Sequence, residues 1–124
     1  KRMQAIKEGQ GRDDLPEELL ADCHKVDSSV IGFRSVYGRM AWDDVAPTIT
    51  ARFDSFTRGK FGHPFQDRSI SLREGALLQS FPKDYVNTGN KDDIARQIGN
   101  AVPQLHEENI GQSIIECYRK VGEK

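Results

Sequence analysis

Two stretches decide how this chain folds: Arg73-Glu74-Gly75-Ala76-Leu77-Leu78-Gln79-Ser80-Phe81-Pro82 and Gln97-Ile98-Gly99-Asn100-Ala101-Val102-Pro103. Ser71 stands two residues before the first, so Ser71-Leu72-Arg73-Glu74 fits a capping box. The Ser71 hydroxyl accepts from the Glu74 backbone N–H and the Glu74 carboxylate reaches back. Ala76, Leu77 and Leu78 then carry the apolar face, and Phe81-Pro82 ends the helix. In the second stretch, Gly99-Asn100 breaks a short helix that begins near Asp92. Pro103 suits the first turn of a final helix running to about Val121. A Gly-Asn break before such a start leaves backbone N–H groups beside the small Ala101, a setting that favours a carboxylate or phosphate. An ordinary corner between two helices accounts for the same residues.

Working outward, the final helix carries Leu105, Ile110, Ile114, Cys117, Tyr118 and Val121 as an uneven apolar stripe near helical period, which must pack on something. On the N-terminal side, residues 1–34 read as a lead-in with one short helix, capped by Asp14 and running through Pro16-Glu17-Glu18-Leu19-Leu20. Val36-Tyr37 and Thr48-Ile49-Thr50 are β-branched and aromatic runs separated by Asp43-Asp44 and Pro47, which predicts two short strands. Gly59, Gly62 and Pro64 mark an ordered loop over residues 54–69. The expected fold class is α+β: a small, twisted, mostly antiparallel sheet with irregular loops from about residue 30 to 82, then C-terminal helices. Three parts follow: 1–34, 35–82 and 83–124.

The 124 residues are 30% charged and 36% apolar, the balance of a globular chain. No stretch approaches the roughly 20 apolar residues of a membrane span, and Lys1-Arg2 leads into polar sequence unlike a signal peptide. The chain does not begin with Met, which points to excision from something longer. Its net charge of −1 argues against a nucleic-acid binder at face value. Residues 34–73 nevertheless hold seven basic and four acidic groups between acidic flanks. Such a segment is often only a solvated face. Cys23 and Cys117 form neither a disulfide framework nor a zinc site, and free thiols in a reducing cytoplasm are expected. His63 has no second ligand at metal-like spacing and reads as structural, so no metal is expected.

Taken in order, the two opening stretches closely resemble the ninth and tenth shared motifs of the DNA (cytosine-5) methyltransferases. Upstream, Tyr37-Gly38-Arg39, Ala46-Pro47-Thr48-Ile49-Thr50 and Gly59-Lys60-Phe61-Gly62-His63-Pro64 resemble the segment that precedes them in bacterial members. The likeness covers roughly residues 35 to 105. It implies that the chain is the C-terminal part of such an enzyme, with 35–82 as target-recognition region and 83–124 returning to the catalytic half. The C-terminal helices would then pack on a Rossmann-like α/β domain, and double-stranded DNA and the N-terminal catalytic half would be partners. Detached, the stripe would be covered by a dimer or by the recognition region. A bacterial, cytoplasmic location follows, at the nucleoid when acting.

The resemblance also distributes roles. Asn100, Ala101 and Val102 would touch S-adenosylmethionine, and Gly99 would permit the chain reversal. Arg39 would approach DNA, reading guanine or holding a phosphate. Thr48 would contact the DNA backbone near the flipped base, although alternation along a strand explains it nearly as well. Arg52, Arg58 and Lys60 would meet phosphates, or remain solvated surface charges. Arg73, Glu74, Gln97 and Gly99 would be structural. The family flips the target cytosine, adds a thiolate from a Pro-Cys dipeptide to C6, and uses a glutamate from Glu-Asn-Val at the ring nitrogen. Cys23 follows Asp22 and Cys117 follows Glu116, so neither matches. Glu108-Asn109-Ile110 only mimics the glutamate motif, because it lies after the tenth motif inside a helix. The chain has no catalytic residue of its own and is expected to be inactive alone. The rival reading is a stand-alone, non-catalytic DNA-binding or interaction module.

Overall fold

A computed structural model of the chain describes residues 1–25 and 35–122; the end of the expected lead-in, Arg34 and the Cys23 side chain lie outside the described residues. The order is α1 (Arg2–Ala5), three single 3-10 turns (Arg12–Asp14, Glu17–Leu19, Asp22–His24), α2 (Leu72–Leu78), α3 (Lys91–Asn100) and α4 (Gln104–Gly122). The expected helix after Asp14 is only the turn Glu17–Leu19. Asp14 instead closes the preceding turn, its carboxylate accepting from the Gly11 N–H at 2.9 Å.

The expected antiparallel sheet is not formed. Among the described residues there are helices and two isolated bridges, Arg39 with Gly62 and Gly62 with Ser69. The reason is local. Tyr37 has φ +58°, a left-handed conformation that no strand tolerates, and its N–H goes to the Phe56 carbonyl at 3.0 Å. Thr48-Ile49-Thr50 is hemmed in by Pro47, which has no N–H for a ladder, and by a turn in which the Thr50 carbonyl accepts from the Phe53 N–H at 3.1 Å. β-Branched side chains favour a pleated surface only where neighbours supply one. The polypeptide from 35 to 70 crosses itself at single points instead.

Those crossings are fixed by a core and by one arginine. Met40, Ile49, Phe53, Phe61, Ile70, Ala76, Phe81, Ala95 and Ile98 form one buried cluster, with Phe53, Ala95 and Ile98 wholly enclosed. Gly75 admits Phe53: a Cβ there would stand 2.2 Å from the ring. Helix α2 therefore buries Gly75, Ala76 and Gln79, with Leu72 half-buried, while Leu77 and Leu78, the expected apolar face, are largely exposed. Helix α3 packs against it.

Arg39 is buried, 4% exposed, and spends all five guanidinium N–H groups inside the protein. Nε donates to the Ile6 carbonyl at 2.9 Å. Nη1 donates to the carbonyls of His63 (2.8 Å) and Gln66 (2.6 Å), and Nη2 to the Met3 carbonyl (2.6 Å) and Asp67 Oδ1 (2.7 Å). One side chain thus joins the N-terminal segment to the loop after Phe61. Around it, Ile6, Leu15 and Tyr37 form a second small core.

Helix α4 buries no residue. Ile110 and Ile114 are 47% and 63% exposed, so the stripe is not covered by the recognition region as one alternative required.

Candidate functional site

The tenth-motif residues form the end of α3 and a bend into α4. The cap residue Asn90 starts α3 with its side chain accepting from the Asp93 N–H at 2.9 Å. Ile98 anchors the last turn in the core. Gly99 is inside the helix, and the chain turns after Asn100, with Ala101 extended at φ −73° and ψ 143°. Gly99 therefore does not make the reversal. It permits contact of two backbones: a Cβ on Gly99 would lie 2.3 Å from the Thr50 carbonyl group and from the Ala51 nitrogen. This seats the end of α3 directly on residues 50–51. The candidate donor residues and the candidate DNA-backbone residues of 48–52 are thereby parts of one local unit.

On that unit Asn100 is exposed, Ala101 half-buried and Val102 47% exposed. The bend thus presents an exposed amide and an exposed apolar side chain on either side of Ala101, which packs against the core. The N-terminus of α4 offers no free anion site. Its first N–H groups are taken by the Gln79 carbonyl (from Gln104, 3.4 Å), by Ser80 Oγ (from Leu105, 3.2 Å) and by the Pro103 carbonyl (from His106, 2.9 Å).

Thr48 and Thr50 are exposed beside the seat, and Arg52 and Arg58 line a shallow cleft of about 460 Å³ with Val36, Thr50, Ala51 and Thr57. Arg52 is loosely held, its Nε 3.8 Å from Asp54. Lys60 is half-buried elsewhere, 3.8 Å from Asp44. Arg39, expected to reach DNA, is instead enclosed with every donor engaged. The structure thus brings together Thr50, Arg52, Arg58 and Gly99, with Thr48 and residues 100–102 adjoining in sequence, and withdraws Arg39.

The structural assignments can be placed atom by atom. Ser71 Oγ accepts from the Glu74 N–H at 3.2 Å and Glu74 Oε2 accepts from the Ser71 N–H at 2.6 Å, closing the capping box. Arg68 adds a two-pronged contact to Glu74 at 2.6 and 2.7 Å. These donors, Arg68 above all, lower the Glu74 pKa to about 2, and the same contact raises that of Arg68. His63 is buried with Nδ1 accepting from the Phe65 and Gln66 N–H groups, a structural post. Arg73 reaches the Tyr85 carbonyl at 3.4 Å, and Gln97 the Thr88 carbonyl at 3.2 Å.

Sequence reasoning missed Gln79, buried at 6%, whose Nε2 donates to the carbonyls of Ile98 (3.1 Å) and Ala101 (3.0 Å). A signal was present. Positions 72, 75, 76 and 79 recur at helical spacing, which turns Gln79 inward with Gly75 and Ala76.

A family model described as C-5 cytosine-specific DNA methylase matches residues 3–116. The chain belongs to that family. It is 52% identical to the Type II methylase M.HgiDII of Herpetosiphon aurantiacus over 82% of this chain and 29% of the relative. It is 43% identical to the Type II methyltransferase M1.BsuMI of Bacillus subtilis over 73% of this chain and 21% of the relative. With DNA (cytosine-5)-methyltransferase 3 of Arabidopsis thaliana the identity is 44%, over 58% of this chain and 5% of the relative. The chain thus spans less than a third of each of these curated relatives. Among the described residues no helix is long and apolar enough to cross a membrane.

Proposed function

We propose that this chain is the C-terminal part of a bacterial, cytoplasmic DNA (cytosine-5) methyltransferase, supplying DNA recognition and one wall of the methyl-donor pocket. Residues 35–82 form the recognition region, 83–124 return to the catalytic half, and 1–34 lead in. The observation that carries the reading is the seat of Gly99 on residues 50–51. It places the segment proposed for the donor against the segment proposed for the DNA backbone. A methyl transfer to a flipped base needs those two held together to within a fraction of an ångström.

In this arrangement the chain's own residues bind and orient. Thr48, Arg52 and Arg58 hold phosphates beside the extruded nucleotide, Lys60 adds a more distant contact, and no base is read by Arg39. Asn100, Ala101 and Val102 close one side of the donor, which when bound supplies the methyl group. The thiolate and the glutamate belong to the other half, because no Pro-Cys occurs in this sequence. The apolar stripe of α4 covers that half in the whole enzyme, and its exposure in the isolated chain supports this.

Duplex binding by the chain at two salt concentrations tests the DNA assignment. Three phosphate contacts by Arg52, Arg58 and Lys60 predict about a 40-fold loss of affinity between 50 and 200 mM salt. Affinity that ignores salt, or no binding by either the chain or the full-length protein, contradicts it.

A further inference from the structure

Gln79 occupies a place where an amphipathic helix ordinarily buries an apolar side chain, so its polarity calls for a reason. The carbonyls at the end of a helix have no intrahelical donors. At most helix ends, water or a left-handed glycine cap satisfies them. Here Ala101 is extended, its N–H reaches the Ile98 carbonyl at 3.3 Å, and the Gln79 side chain completes the end, giving one amide proton to Ile98 as a second donor and the other to the Ala101 carbonyl. Its backbone carbonyl accepts from Gln104, and Ser80, held at φ +58°, presents Oγ to Leu105. The dipeptide at the end of α2 therefore grips the bend on both sides, before residue 99 and after residue 103. Within the bend, Asn100 and Val102 remain exposed.

We propose that Gln79 is the positioning residue for methyl-donor binding: it touches no substrate, and it sets the conformation of the turn 100–102 through the Ala101 carbonyl. The proposal rests on the reading that this turn contacts the donor. Gly99 fixes where the turn sits relative to the DNA-backbone segment, and Gln79 fixes its shape.

The test uses the full-length protein with Gln79→Met, Gln79→Glu and Asn100→Ala. Affinity for S-adenosylmethionine is measured by calorimetry from pH 5.5 to 8.5, alongside duplex affinity and thermal unfolding. Gln79→Met keeps the volume and removes both hydrogen bonds, so donor affinity falls about tenfold while DNA affinity changes less than about twofold. Gln79→Glu sets a carboxyl against two carbonyl oxygens in a buried place, raising its pKa above the ordinary value of about 4.3. When protonated it donates to one carbonyl, so its donor affinity approaches the wild-type value as pH falls and departs from it as pH rises. Unaltered donor affinity in both Gln79 variants overturns the proposal. So does a parallel loss of donor and DNA affinity with no pH dependence, which marks a merely structural role. Asn100→Ala separates the two ideas. If it weakens donor binding while the Gln79 variants do not, the turn is correctly assigned and Gln79 is not its positioner. If only the Gln79 variants weaken binding, the inference stands and the Asn100 contact is withdrawn.

Discussion

Helix α2 has seven residues and buries a face of them between Phe53 and α3, whereas α4 has nineteen and buries none. The difference lies in partners, since both helices carry apolar residues at helical spacing. Around α2 the chain supplies everything: an aromatic ring let in by Gly75, a capping box, and Gln79 to finish its neighbour. Around α4 the hydrogen bonds from the rest of the chain beyond the adjoining Pro103, among the described residues, are those of Gln79 and Ser80 to its first turn. A helix of this length, with Gly111 in its middle, is marginal in water unless its apolar face is packed. The body of the chain is thus a finished unit, and α4 is an arm whose stability depends on whatever it covers.

That contrast breaks most readily at Arg39. Replacing it with Leu leaves the carbonyls of Met3, Ile6 and His63 and the Asp67 carboxylate without that donor, while Gln66 keeps the Arg68 N–H, and the chain should lose about 3 kcal/mol or more in denaturant unfolding. A loss below about 1 kcal/mol would show that water or neighbours replace the guanidinium. The family resemblance places the effect of Arg39→Ala in DNA recognition; the buried guanidinium with its five internal hydrogen bonds moves it to folding.

Two identical substitutions sharpen the comparison, because they should differ in sign. Gly99→Ala drives a methyl group into the Thr50–Ala51 backbone, which cannot yield cheaply, and costs about 2 kcal/mol. Gly111→Ala meets nothing within 4 Å and should raise α4 helicity, worth about 0.5–1 kcal/mol where the helix is formed. Circular dichroism and denaturant titration of both variants read this directly, and equal effects would dissolve the distinction between body and arm.

The body also carries a pH response, at Glu74. Glu74 is lowered to about 2 when folded, so the stability it contributes is fully present above its unfolded value near 4.3. That contribution is lost as pH falls from there toward 2. Glu74→Gln should remove this part of the acid sensitivity while lowering stability at pH 7 by about 1 kcal/mol. An unchanged acid profile in the variant would refute the assignment. The smallest effect is expected on the arm: Ile114→Ser should shift the stability of the isolated chain by less than about 0.5 kcal/mol. In the full-length protein the same change should be clearly destabilising.

What could be read from the residues follows the same division. Ser71 and Glu74 announced the start of α2 because a capping box is written within four residues. The bend at 99–103 was legible for the same reason. The strands were not, because Val36-Tyr37 and Thr48-Ile49-Thr50 carry the right side chains on a backbone that a left-handed Tyr37, Pro47 and the turn at Thr50 keep from pairing. Arg39 was misplaced since its five acceptors come from residues 3–6 and 63–67, a convergence that no local spacing reveals. Leu77 and Leu78 mask Gln79 in the sequence, since two adjacent leucines suggest the apolar face while helical spacing from Leu72 and Gly75 turns Gln79 inward. At Gly99 the family suggested a reversal, while the geometry gives a close backbone contact, a different use of the same missing Cβ.

The most direct test of the central claim is methyl transfer from labelled S-adenosylmethionine to the cytosines of duplex DNA, assayed for this chain alone and for the full-length protein. The account predicts no transfer by the chain and transfer by the full-length protein that drops with Gly99→Ala. Transfer by the chain alone, or none by the intact protein on any duplex, would contradict it.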